Sequence, residues 1–140
     1  MRKYPYKKLA KYPHLMPKDV EVWEKFLDSH PKYFNEVEYD VHVGQGVTTP
    51  PEAPKEYAYD YKHLTKKRID VVGHKGEIIF IVEIKPSAGL SAVGQAFGLS
   101  QLFRAENPNV ARILPCIITD RIDKDIAQIC ERMRIVLLKA

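Results

Sequence analysis

The sequence predicts an α/β protein in which helices flank a mixed β-sheet. Residues 78–82 are apolar at every position, a pattern typical of a strand buried on both faces. Residues 90–104 show helical spacing and are rich in glycine, alanine and serine, which suits a helix packed closely against a sheet. A further apolar strand is predicted at 111–119, and a last helix precedes a short strand at 135–138. The 140 residues are enough for one domain with its own core.

Composition and charge limit the classes of protein to consider. The chain is 45% hydrophobic and 29% charged, and no apolar run approaches the roughly eighteen residues of a membrane span. The basic N-terminus is not followed by an apolar stretch, so we expect no secretory signal. Cys116 and Cys130 lack the spacing of a zinc site or of a disulfide framework. We therefore expect a cytoplasmic protein in a reducing compartment, with no membrane partner.

Residues 1–16 are predicted to form a basic, aromatic arm ahead of a domain at 17–140. The first eighteen residues contain six lysines and arginines and no acid, with tyrosines interleaved among them. Such a segment can bind phosphates, here through Lys7 and Lys8, and can stack its rings on bases. A solvated tail that keeps the protein soluble is an equally open interpretation.

A first helix is predicted to begin at Pro17 and a strand to follow at 35–43. The helix carries an apolar stripe, with Glu24 at its edge. In the strand, apolar and polar residues alternate, which indicates a half-buried strand with Glu38 on its polar face. The apolar residues of the stripe are Val20, Trp23, Phe26 and Leu27, and those of the strand are Val37, Tyr39, Val41 and Val43.

Residues 44–65 form a predicted insertion that is long for a compact domain. Its first half is rich in glycine, threonine and proline and is typical of an irregular loop. Tyr57, Tyr59 and Tyr61 alternate, which suggests a short strand or an arm that presents three rings together.

A basic stretch leads from this insertion into Asp70. Basic residues beside an acidic site are what a phosphate-binding groove requires, so we expect this stretch to bind nucleic acid. A solubilising turn is the alternative. The residues concerned are Lys62, Lys66, Lys67 and Arg68.

Asp70, Glu83 and Lys85 are predicted to lie together on one sheet surface. Residues two apart on a strand share a face, and a tight hairpin turn at 73–76 would place Asp70 on the neighbouring strand. Mg²⁺ is often held by one or two carboxylates, and a nearby lysine can orient a water. An amphipathic edge strand with solvated charges is the structural alternative. The continuous apolar run before Glu83 argues against it.

These residues, with Gln95 in the following helix, resemble the motif of the PD-(D/E)XK nuclease superfamily. The matching pattern is Asp70, then Glu83-Ile84-Lys85, then Gln95, and it departs from the family at Ile69, where proline is usual. The resemblance covers roughly residues 17–119. It implies the restriction-endonuclease-like fold, with an αβββαβ core and a mixed sheet flanked by helices.

The resemblance also implies a Mg²⁺- or Mn²⁺-dependent nuclease that hydrolyses DNA, with RNA as an alternative substrate. Asp70, Glu83 and the backbone carbonyl of Ile84 would hold the metal. Lys85 would position or activate the attacking water, and Gln95 would help to place the substrate or the lysine.

The family often adds an acidic residue from its first helix. Glu24 is the first candidate for it and Glu38 the second. Gln95 is expected to share a helix face with the core residues Leu99 and Leu102, and Leu99 stands where the family often has an aromatic residue.

Two other functions stay open at the level of sequence. One is a non-cleaving nucleic-acid-binding protein of the same fold. The other is a domain for protein contacts in which the charged triplet is accidental. Whether the chain forms a homodimer is also open.

Overall fold

The computed structural model describes residues 2–140, which fold into four α-helices and a six-stranded β-sheet. Each core helix and strand predicted from the sequence is present, with small shifts at its ends. In chain order the elements are β1 (Tyr4–Pro5), α1 (Pro17–Ser29), β2 (Glu36–Val43), a 3-10 turn (Lys55–Tyr57), α2 (Ala58–Leu64), β3 (Lys67–Lys75), β4 (Ile78–Ser87), α3 (Leu90–Glu106), β5 (Arg112–Arg121), α4 (Lys124–Met133) and β6 (Val136–Lys139).

The strands lie in the sheet in the order in which they occur in the chain. The pairs β1–β2, β2–β3 and β3–β4 are antiparallel, whereas β4–β5 and β5–β6 are parallel because α3 and α4 provide the crossover connections. Helix α1 packs on one face of the sheet, and α3 and α4 pack on the other. The predicted α/β class with a mixed, helix-flanked sheet is confirmed. Among the helices of residues 2–140, none is both long and apolar enough to cross a bilayer.

The α1 face of the sheet carries a core rich in aromatic rings. Trp23 and Phe26 of α1 are fully buried, and the Trp23 Nε1–H donates a hydrogen bond of 2.9 Å to the Tyr39 hydroxyl. The predicted stripe of α1 therefore faces the core, and Val22 is buried beside it.

The N-terminal segment belongs to this same core. Tyr4 pairs with Val37 as part of β1, the Tyr6 hydroxyl donates to the His30 carbonyl at 2.6 Å, and Tyr12 is buried. Its tyrosines therefore pack inside the protein, and this segment is not an arm whose rings are free to stack on bases.

Strand β2 changes the face that it buries halfway along its length. The sequence predicts one apolar face from Val37 to Val43, but Tyr39 packs in the α1 cluster, whereas Val41 and Val43 pack with α3. Asp40 has a left-handed φ of 52°, which aspartate tolerates better than most residues and which reverses the alternation. The prediction of a single face is wrong for this reason.

The insertion at 44–65 contains helix α2 instead of the predicted strand. Gly46 has a φ of 71°, and a Cβ there would lie 2.0 Å from the Lys62 carbonyl oxygen, so the loop closes tightly onto α2. The Val47 N–H donates to the Thr65 hydroxyl at 2.6 Å. Tyr57, Tyr59 and Tyr61 are exposed, but they follow a helical and not an extended backbone.

The hairpin between β3 and β4 is tighter than predicted. Its turn consists of Gly76 and Glu77, and Gly76 adopts the positive φ of 60° that such a turn requires. Gly73 instead lies within β3, under the ring of Phe34.

Replacing Gly73 with alanine is expected to destabilise the protein by about 1–3 kcal/mol, because overpacking forces neighbouring groups to move. A Cβ at Gly73 would lie 2.5 Å from the Phe34 ring. The measurement is the free energy of unfolding in urea. Gly94→Ala, in the interior of α3 with open space around its Cβ, should instead raise stability by about 0.5–1 kcal/mol. Equal stability of the two variants would contradict this packing.

Candidate active site

Two carboxylates meet where β3 and β4 separate. Backbone pairing between these strands reaches Val71 and Val82. Beyond this pair, the Ile84 N–H donates a hydrogen bond of 3.0 Å to Asp70 Oδ2. The aspartate side chain thus takes the place of a backbone acceptor and lies beside the backbone of Glu83 and Ile84. The sequence prediction that Asp70 and Glu83 are neighbours is confirmed.

Lys85 lies next to the second carboxylate. Its Nζ is 3.7 Å from Glu83 Oε1, and the lysine is partly exposed while Glu83 is almost fully buried. Strand β4 pairs with β5 in uniform parallel register over this stretch, so Glu83 and Lys85 point to the same side. The expected grouping of Asp70, Glu83 and Lys85 is therefore present.

Burial makes both carboxylates hard to ionise. It raises the pKa of Asp70 to about 6, a shift that the hydrogen bond from Ile84 opposes. It raises the pKa of Glu83 to about 8, and the negative charge of Asp70 adds to this shift while Lys85 opposes it. Two like charges held in a poorly solvated site repel each other, so the pair retains a proton near neutral pH.

A third carboxylate, Asp19, approaches from the first turn of α1. Its negative charge raises the pKa of both Asp70 and Glu83, and Lys85 lowers the pKa of Asp19 itself, although burial raises it overall. Asp19 and Lys85 also line one surface pocket of about 440 Å³. Asp19 is stabilising near the helix N-terminus, because the helix dipole favours negative charge there.

Sequence reasoning missed Asp19 although a signal for it exists. Asp19 precedes the buried residues Val22 and Trp23 by three and four positions, so it shares their face of α1 at the end nearest the site.

His14 was also missed as a neighbour of the site. It is exposed, has a left-handed φ of 60°, and lies close enough for its charge to lower the pKa of Asp70. The buried Tyr12 and the partly buried Leu15 hold this segment on either side of it.

The two residues suggested as the extra acid are engaged elsewhere. Glu24 accepts a hydrogen bond of 2.8 Å from the Tyr12 hydroxyl. Glu38 is buried and pairs with His74 Nε2 at 2.6 Å. Neither is brought to Asp70 and Glu83, and Asp19 occupies the place that was expected for Glu24.

Gln95 lies on the exposed surface of α3. The core-facing residues of this helix include Ala92, Ala96 and Leu99, and Gln95 is at the border of their stripe. The expectation that it shares a buried face with Leu99 is wrong, because the small residues of α3, not Gln95, pack against the sheet.

The predicted basic residues divide into paired and exposed groups. Lys8 forms an ion pair of 2.8 Å with Asp28, and Arg68 lies 3.5 Å from Asp40. The others have side chains open to solvent: Lys7, Lys62 and Lys67 are exposed, and Lys66 is partly exposed.

The oxygen atoms available at this site suit a hard cation that takes few protein ligands. Within residues 2–140, no three His, Cys, Asp or Glu side chains are grouped so as to hold a metal ion. Mg²⁺, however, is commonly bound through one or two carboxylates, with waters and substrate phosphates completing its shell. Asp70 and Glu83 supply two carboxylates whose mutual repulsion a divalent cation would relieve, and the Ile84 backbone lies beside them.

No protein-family model matches the chain, and comparisons with curated proteins and with solved structures give no significant match. The function is therefore inferred from the geometry of the site.

Without added metal, we expect Glu83→Gln to raise stability at alkaline pH. The folded protein holds the Glu83 proton more tightly than the unfolded chain, so this group stabilises the fold at low pH and the contribution is lost as pH rises through about 8. The stability difference between variant and wild type should grow between about pH 5 and pH 8.5, reaching about 2–4 kcal/mol.

Urea unfolding in EDTA across this pH range measures the effect. Glu77→Gln, at the exposed β3–β4 turn, is the matched control and should show no such trend. A difference between wild type and Glu83→Gln that does not change with pH would contradict the raised pKa.

Proposed function

We propose that the protein is a metal-dependent nuclease of the PD-(D/E)XK type, with a restriction-endonuclease-like core, that hydrolyses phosphodiester bonds of DNA or RNA. The observation that carries this proposal is the grouping of two poorly solvated carboxylates, the half-buried Asp70 and the buried Glu83, with Lys85 at the point where two central strands separate. The element order supports this proposal, because α1, β2, β3, β4, α3 and β5 follow the αβββαβ order that the resemblance implies.

The residues of the site divide the chemistry between them. Asp70, Glu83 and the Ile84 carbonyl would hold Mg²⁺ or Mn²⁺, which supplies Lewis-acid activation of water and neutralises charge on the phosphate. Lys85 is partly exposed while it remains near Glu83, so its ammonium group can reach substrate oxygens. It orients the attacking water and stabilises the negative charge that develops as the leaving oxygen departs in line.

Two further residues are assigned supporting roles. Asp19 adds negative charge on the side of α1, where it can accept a proton or a hydrogen bond from water. Gln95 is exposed on α3, and a role in contacting the substrate suits that position better than a role in holding Lys85.

The alternative is a protein of the same fold that binds nucleic acid without cutting it. The exposed lysines Lys7, Lys62 and Lys67 favour it, because they can bind phosphates without a metal ion. The two carboxylates argue against this alternative, because they repel phosphates unless a cation lies between them.

The decisive measurement is cleavage of labelled single-stranded, duplex and four-way-junction DNA, and of RNA, with Mg²⁺, Mn²⁺ or EDTA. We expect cutting that requires metal, and a loss of about a hundredfold or more in Asp70→Asn, Glu83→Gln and Lys85→Met. The reason is that each variant removes a charge from the group that would hold the metal and the water.

Two exposed residues provide matched controls for this experiment. Glu77→Gln removes a carboxylate and Lys124→Met an ammonium group outside the site, and both variants should cut like the wild type. Salt-sensitive binding of nucleic acid that survives all three site substitutions, with no cutting in either metal, would favour the non-cleaving alternative.

A second comparison separates the two candidate acids of α1, Asp19 and Glu24. We expect Asp19→Asn to lower the cleavage rate by about tenfold, because its charge acts on both carboxylates of the site. Glu24→Gln changes a carboxylate that bonds to Tyr12, and it should leave the rate unchanged. The same cleavage assay measures both variants, and the reverse order of effects would restore Glu24 as the acid of the first helix.

A further inference from the structure

Helix α2 presents a groove that combines an aromatic ring with two lysines. Tyr59, Lys62, His63 and Lys66 line a surface pocket of about 220 Å³. Their spacing of three, four and seven residues places them on one side of the helix and of the turn after it. If these residues formed the β-strand expected from the alternating tyrosines, the four side chains would not lie together.

The groove is anchored on its inner side and open on its outer side. The His63 ring lies 4.4 Å from the ring of His42 on β2, which ties α2 to the sheet. On the other side, the Tyr59 ring is nearly parallel to His63, with the centroids 6.1 Å apart. Tyr59 is 77% exposed, so a planar group from another molecule can reach its ring.

The charge around the groove identifies the kind of ligand. Residues 55–68 contain five lysines and arginines but only two carboxylates, which makes this segment a favourable place for phosphates. A second copy of the chain fits poorly, because a two-fold interface would place the lysines of one groove against those of the other.

We propose that this groove binds single-stranded nucleic acid. An unpaired base stacks on Tyr59, and Lys62 and Lys66 bind the phosphates on either side of it. In a duplex each base is covered by its neighbours, whereas a single strand can place a base on an exposed aromatic ring. This inference rests on the proposed function in that the ligand is a nucleic acid, and it adds that the substrate has a single-stranded part.

The groove also leads towards the carboxylates. Lys66 directly precedes β3, and Asp70 is the fourth residue of that strand. At the rise of an extended chain, the Cα atoms of Lys66 and Asp70 are at most about 13 Å apart. A single-stranded nucleic acid bound along α2 can therefore continue towards the carboxylates.

The test is the affinity for a labelled oligothymidylate and for a duplex of the same length, measured by fluorescence anisotropy in EDTA. We expect Tyr59→Ala to weaken binding of the single strand about tenfold, ~1.4 kcal/mol, within the range measured for one base stacked on an aromatic residue. Tyr59→Phe keeps the ring and should bind like the wild type. Duplex binding should be unchanged in both variants.

Tyr57→Ala is the matched control. Tyr57 is 59% exposed and precedes the same helix, but it does not line the groove, so its removal should leave both affinities unchanged. Wild-type affinity in Tyr59→Ala, or equal losses in the two alanine variants, would overturn the proposal. So would conversion of a dimer into a monomer by Tyr59→Ala without a change in oligonucleotide affinity, which would make α2 a protein contact.

The proposals for the groove and for the nuclease can fail separately. Tyr59-dependent binding without metal-dependent cutting would support the groove and contradict the nuclease. Cutting that is lost in Asp70→Asn, with single-strand affinity unaffected by Tyr59→Ala, would support the nuclease and overturn the groove.

Discussion

The hydrogen bond from the Ile84 N–H to Asp70 is the interaction on which the candidate site depends. If the β3–β4 ladder continued beyond Val71 and Val82, backbone groups alone would pair there. Instead the aspartate side chain is the acceptor, which fixes its carboxylate against the next strand. A buried carboxylate needs such a partner, because burial without a hydrogen bond is costly. The same bond therefore positions Asp70 beside Glu83 and makes its burial tolerable.

At the row of residues next to this bond, the side chains of β2 and β3 change the face of the sheet on which they pack. Tyr39 pairs with Val71 and Val41 with Ile69, so Asp40 and Asp70 occupy the row between these pairs. Tyr39 and Val71, on one side of the row, pack against α1, whereas Val41 and Ile69, on the other side, pack against α3. The left-handed backbone of Asp40 allows this change.

Asp40 also connects the insertion to the site. Its carboxylate lies 3.5 Å from Arg68 and 3.4 Å from His42, and the His42 ring contacts His63 of α2. These side-chain contacts on β2 and β3 thus link helix α2 to the row that holds Asp70.

The sequence predicted most of this fold because its strongest signals are local. The apolar run of β4 and the spacing of α1 and α3 specify these elements, and the two-residue spacing of Glu83 and Lys85 places them on one side. The change of face in β2 could not be predicted, because Val37 to Val43 alternate without interruption and a single φ angle reverses their direction. The same limit applies to the tyrosines of α2, since alternation over five residues is compatible with an exposed helix.

Long-range contacts account for the remaining differences. Glu24 and Asp19 are both acids on α1, and the sequence does not show that Tyr12 folds back to bind Glu24. That contact belongs to a segment whose tyrosines complete the α1 core, and it leaves Asp19 as the acid nearest the carboxylates. Which acid faces the site was therefore decided by the packing of the N-terminal segment.

The electrostatics of the carboxylate pair favour the nuclease over a protein that only binds. As a pair, Asp70 and Glu83 destabilise the fold at neutral pH, since burial and mutual repulsion make the pair keep a proton that the unfolded chain would release. They would also repel the phosphates that Lys62 and Lys66 are proposed to bind. A surface for binding alone would gain both stability and affinity from neutral residues at these two positions. A divalent cation reverses both effects, because it offsets the repulsion within the pair and offers positive charge to the phosphate.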